Sequence, residues 1–143
     1  MIRFSYAIEI AATPPQVFLL LDNLSGSPAW LARCVKVELE PLRYYFRQGG
    51  GRVGIMSASV ATRVPNQQLD IAFRDKQATV QMHQQLAASR NNPTATVLTC
   101  VVEVQPRSLA GKLLAPLIRT YLPSAVTASA ERLKAQVEAT AAA

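Results

Sequence analysis

The chain holds one histidine, two cysteines and one tryptophan in 143 residues, and nowhere a run of about eighteen apolar residues. The scarcity of ligating side chains argues against a metal centre, because His83 has no cysteine or carboxylate partner at ligand spacing and Cys34 and Cys100 stand far apart. Neither a metal nor a cofactor is expected. The missing apolar run excludes a transmembrane helix. Met1 to Tyr6 alternates instead of forming an apolar stretch, so it does not read as a signal peptide. Two thiols without such a signal fit a cytoplasmic, reduced chain in which both are small buried fillers. Acidic residues are also few, nine against fifteen basic ones, for a net charge of +6. The eleven arginines are scattered from Arg3 to Arg132 and do not cluster with exposed aromatics, which argues against a nucleic-acid partner. A basic surface of this kind can still attract anionic membranes or acidic ligands.

Half of the residues are hydrophobic and 17% are charged, a balance that suits one globular domain over 1–143. A chain of this size buries roughly 68–70% of its unfolded surface, so a real core is expected. In the first segment Ile2, Phe4, Tyr6, Ile8 and Ile10 alternate with Arg3, Ser5, Ala7 and Glu9, the period of a strand. Thr13-Pro14-Pro15-Gln16 then carries the signals of a helix start: an N-cap, proline at the first helical position, and the glutamine of a capping box. Val17, Leu20, Leu21 and Leu24 give that helix, ending near Asn23, an apolar stripe. Ser27-Pro28 opens a second, short helix that contains Trp30 and ends near Arg33.

Strand signals follow in series: 34–39, 43–48, 53–64, 69–74, 78–88 and 94–104. Gly49-Gly50-Gly51 marks a hairpin tip, Gly54 a bulge, and Pro65-Asn66 a turn. With the first segment this makes seven strands, six of them consecutive and joined by links short enough to require antiparallel hairpins. Beyond Pro106 the period becomes helical, with Leu114, Ile118, Tyr121, Ala125, Ser129, Leu133 and Val137 on one face. Pro116 and Pro123 predict a break, leaving a regular helix from Pro123 to about Ala139.

The order strand, two short helices, six strands, long helix resembles the helix-grip proteins of the polyketide cyclase/dehydrase and lipid-transport superfamily, which includes START and birch-pollen-allergen-like proteins. The resemblance is carried by Ile8-Glu9-Ile10-Ala11-Ala12-Thr13-Pro14-Pro15-Gln16-Val17-Phe18, by Asp22, by Trp30-Leu31 and by Ala130 to Glu138. The glycine-rich tip between Arg43 and Arg52 departs from it. The implied fold is α+β: a bent, seven-stranded antiparallel sheet with two short helices and a long C-terminal helix around an apolar cavity. The implied partner is a hydrophobic small molecule or lipid.

Strand parity selects the residues expected to face that cavity. Phe73, Met82, Gln84, Leu98 and Cys100 point inward, joined by Met56, by Trp30 at the open end and by Tyr121 on the last helical stripe. Gln84 is a primary amide in an apolar row and is suited to orienting a ligand's carbonyl or hydroxyl. His83 falls on the outer face, Ser57 and Ser59 lack a neighbouring base, and no catalytic cluster emerges. Non-catalytic binding or transport is therefore the leading reading. A cyclase or dehydratase acting on a polyketide is the alternative, since folding the substrate and stabilising an enolate need little machinery. A third reading is a membrane- or protein-interaction module using the basic rim, with transient membrane contact.

Overall fold

In the computed structural model, which describes residues 1–142, the alternating segments form seven antiparallel strands. They are β1 (Ile2–Ile10), β2 (Cys34–Leu39), β3 (Leu42–Arg47), β4 (Val53–Val64), β5 (Gln68–Arg74), β6 (Ala78–Ala88) and β7 (Thr96–Pro106). Helix α1 (Pro14–Asp22) and a 3-10 turn (Leu24–Ala29) connect β1 to β2, and helix α2 (Leu109–Ala142) follows β7. The sheet order is β1-β7-β6-β5-β4-β3-β2. Strands β2 to β7 pair in sequence order, whereas β1 crosses to pair with β7. The first two strands of the chain therefore form opposite edges of one sheet, with α1 and the 3-10 turn spanning between them.

Pairing fixes which side chains share a face. Tyr6, Cys100, Gln84 and Leu69 form one inward row; Phe4, Val102, Met82 and Ile71 form the next. These rows pack with Val17, Phe18 and Leu21 of α1 and with Leu122, Val126, Leu133 and Val137 of α2 in one apolar core. The bulge falls at Val60–Thr62 and not at Gly54, which pairs regularly with Phe46. A Cβ at Gly54 would lie 2.1 Å from the side-chain amide of Gln48, the free end of an exposed side chain that can swing aside. The glycine tip is a 3-10 turn in which Gly50 and Gly51 both take positive φ, the region that glycine enters without steric cost.

Two helical expectations are corrected. Trp30 does not sit inside a second helix; it follows the 3-10 turn, with its N–H bonded to the Ser27 carbonyl at 3.1 Å. Helix α2 is continuous through both prolines. The carbonyls that Pro116 and Pro123 leave unbonded belong to Lys112 and Arg119, on exposed turns where water can satisfy them. Because the helix is unbroken, its 3.6-residue phase carries through. Leu122 then faces the core in place of Tyr121, and Tyr121 is 44% exposed.

Helix α2 is fastened at both sheet edges. On the β1 side, the Tyr6 hydroxyl donates to Glu131 (3.1 Å), the Ala11 N–H to Glu138 (2.7 Å) and Lys134 to the Glu9 carbonyl (2.7 Å). On the β2 side, the Ala32 N–H donates to Ser129 Oγ (2.8 Å) and Gln136 to the Ala29 carbonyl (3.3 Å).

Candidate functional site

The inward sheet face is most buried along its middle strands, and at the β1 edge Phe4, Tyr6 and Ile8 are half-buried. Along β5, β6 and β7, the side chains of Phe73, Met82, Gln84, Leu98 and Cys100 are buried against the helices, with Trp30 closing in from the 3-10 turn. Along β3 and β4, the inward Phe46, Met56, Ala58 and Val60 are only half-buried. That strip is one place where the apolar interior meets solvent. Of the eight residues expected at the site, six are thus packed into the core, Met56 lies on the open strip, and Tyr121 stands outside on the exposed side of α2. Two surface depressions lie elsewhere. One, of about 530 Å³, is lined by Ala7, Glu9, Ala87, Ser89 and Arg90; the other, of about 270 Å³, lies beside Phe18 and Asn66.

Three polar atoms within this apolar interior have no hydrogen-bond partner in the protein: Gln84 Oε1, Trp30 Nε1 and Tyr44 Oη. Tyr44 is fully buried and faces inward from β3. Its ring meets Phe73 edge-on at 4.8 Å and stacks on Phe46 at 6.1 Å. Burial pushes its phenol up to about 12; the nearby Ser27 hydroxyl acts in the opposite direction but makes no well-formed hydrogen bond. Sequence parity misses Tyr44 because three consecutive aromatics, Tyr44-Tyr45-Phe46, give no alternation. Its opposition to Met56 in the β3–β4 pairing reveals it.

His83 lies on the outer face, as expected. It belongs to a polar ladder crossing four strands. His83 Nε2 is 2.9 Å from Glu103, which lies 3.9 Å from Arg3, and Nδ1 is 3.4 Å from Asp70, which accepts from Gln68 at 2.7 Å. The two carboxylates address different ring nitrogens, so they do not converge on one point. Among the described residues, no group of histidine, cysteine, aspartate and glutamate could hold a metal ion. Asp22 pairs with Arg63 at 2.8 Å and Arg43 with Glu38 at 3.0 Å, so both are engaged in surface ion pairs.

Residues 1–138 match the family described as polyketide cyclase / dehydrase and lipid transport. The chain belongs to this family. Among solved structures, a START superfamily protein from Mycobacterium smegmatis superposes with a TM-score of 0.75 at 15% identity, over 96% of this chain and 98% of that one. A Thermus thermophilus protein gives 0.74 at 13% identity, covering 96% and 98%. The di-domain ARO/CYC StfQ from the steffimycin biosynthetic pathway gives 0.76 at 10% identity, covering 99% of this chain and 52% of that one. These likenesses establish the helix-grip fold. No curated protein matches by sequence.

The inner face of this member of the polyketide cyclase/dehydrase and lipid-transport family is poor in ionisable groups. Burial pushes Cys100 and Cys34 each up to about 11, so both thiols stay protonated at neutral pH and are weak nucleophiles. What the interior offers is hydrogen bonding without charge: an amide oxygen, an indole N–H and a neutral phenol. Among the described residues, no helix is long and apolar enough to cross a membrane.

Proposed function

We propose that the protein binds a hydrophobic small molecule or lipid against its inward sheet face and does not catalyse a reaction on it. One observation carries this reading: Gln84 Oε1, Trp30 Nε1 and Tyr44 Oη have no protein partner inside an apolar surface. Leaving such an atom unmet costs about 1–3 kcal/mol. These atoms have almost no accessible surface and line neither surface depression, so a ligand with a few polar groups on an apolar body would meet them by parting the packed interior; sparse polar points in apolar surroundings are how such sites fix orientation. Met56, Phe73, Met82, Leu98 and Cys100 would supply apolar contact, and the half-exposed β3–β4 strip would admit the ligand. Tyr121 drops out of the proposed lining because of its exposure.

Native mass spectrometry of the purified protein, with solvent extraction of what it carries, tests the proposal. A retained apolar species at one copy per chain is the expected result. Protein that carries nothing, and whose melting temperature no member of a panel of fatty acids, quinones and aromatic polyketides shifts, would sink it. Turnover of a poly-β-ketone would replace binding with the cyclase reading, in which Tyr44 would be the hydrogen-bond donor to an enolate.

A further inference from the structure

The first half of α2 is apolar on the side turned away from the sheet. Leu109, Leu113, Leu117 and Tyr121 recur every fourth residue, and Leu114 lies beside them. Their exposures run from 40% at Leu114 to 75% at Leu109. Large apolar side chains scattered singly on a surface need no explanation, but five within thirteen residues of one helix form a contiguous patch. The buried side of the same helix is already occupied. Gly111 lies against the Gln77 carbonyl so closely that a Cβ would come within 2.2 Å, and Leu122 and Val126 enter the core. The exposed stripe is therefore not a misassigned core face.

The charges on the segment itself have one sign. From residue 104 to residue 130 there is no aspartate or glutamate, while Arg107, Lys112 and Arg119 are present. Lys112 and Arg119, seven positions apart, share one flank of the stripe. The adjoining β5–β6 turn adds the exposed Arg74 and Lys76. Its one acid, Asp75, is engaged by the backbone N–H groups of Gln77 and Ala78 at 2.8 and 2.9 Å.

We infer that the Leu109–Tyr121 half of α2 docks on an anionic phospholipid surface, lying in the plane of the interface. Its leucines and Tyr121 would enter the acyl boundary, and Lys112, Arg119 and Arg107 would meet lipid phosphates. An apolar stripe flanked by cations is the pattern of a helix that lies on a membrane without spanning it. Anionic headgroups supply the counter-charge that the segment lacks. A second copy of the chain fits the surface less well, because packing stripe against stripe would oppose the same cations with no acid in the segment to pair them. This outer stripe is separate from the sheet interior proposed to hold ligand, and a different assay reads it.

Sedimentation with vesicles of phosphatidylcholine alone, and of equal parts phosphatidylcholine and phosphatidylglycerol, tests it. The full chain should partition onto the mixed vesicles at least about tenfold more strongly than onto neutral ones. The advantage should shrink as salt rises. The variant Leu113→Ser/Leu117→Ser should abolish binding, and Lys112→Glu/Arg119→Glu should weaken it about tenfold or more. All four positions are exposed, so unchanged melting temperatures would show that the fold is intact. Binding that is equal on both vesicle types, that survives the leucine replacements, or that is absent would overturn the inference. So would a concentration-dependent dimer that Leu113→Ser/Leu117→Ser dissociates, since the stripe would then belong to a second copy.

Discussion

Gln84 is an amide enclosed by Leu69, Met82, Leu86 and Cys100, with its carbonyl oxygen unmet. If its role were to hold the fold together, replacing it should destabilise the protein. Because its oxygen has no partner, Gln84→Leu should leave the ligand-free protein as stable as before or raise its stability by about 1 kcal/mol. The same change should weaken binding of ligands that present a hydrogen-bond donor. Urea denaturation of both proteins gives the first result, and a melting-temperature panel gives the second. Glu138 shows the opposite case, a polar side chain with a clear structural partner. The Ala11 N–H, and then Lys134, hold its carboxyl below the usual carboxylate range. A group whose folded pKa is depressed contributes stability that is present above its unfolded value and is lost as pH falls through the folded one. The gap between the native protein and Glu138→Gln should therefore be widest at neutral pH and close in acid below about pH 4.3. Glu138 is half-exposed and screened by solvent, so the gap should stay under about 1 kcal/mol. A gap that grows in acid would contradict this assignment.

At the scale of elements, α2 separates what the sequence reveals from what it hides. Its existence, and the burial of Ser129, Leu133 and Val137, are legible from periodicity alone. Its start is not, because Pro116 and Pro123 argue for a break. The exposed turns that tolerate both prolines become visible only once the helix is docked on β1 and β7. The strands are easier to read, since alternation survives translation into a sheet, and all seven appear close to their expected limits. Where alternation fails, as at Tyr44-Tyr45-Phe46, a residue of the proposed site escapes notice. Asp70 escapes for a related reason. Parity puts it on the outer face, as observed, yet packing with Gln68 and His83 leaves it only 6% exposed. Gly111 gives a test at this scale. Glycine to alanine inside a helix ordinarily stabilises by roughly 0.5–1 kcal/mol. Here the added methyl would strike the Gln77 backbone carbonyl, so Gly111→Ala should destabilise by about 1–3 kcal/mol. Thermal unfolding gives the sign directly.

At the scale of the molecule, the sheet is closed around α2 by bonds at its two edges. Ser129 is the hinge pin on the β2 side, accepting from the Ala32 N–H while donating to the Ala125 carbonyl at 2.8 Å. Ser129→Ala would strand that N–H and should cost about 1 kcal/mol or more. It should also speed hydrogen exchange at Ala32 and Cys34 before exchange at the centre of β6 or β7 changes. Equal acceleration throughout would mean that the edge does not open separately. The same fastening has a consequence for the order of assembly. The residues that hold α2 lie 97 to 127 positions before their partners. Every strand is therefore synthesised before α2, whereas α1, which packs on the same apolar face, precedes β2 to β7. Helix α2 is 34 residues long, and at about 5–20 residues per second its synthesis takes a few seconds. Until α2 has emerged and docked, the part of the apolar face that it covers stays open to chaperones and to aggregation.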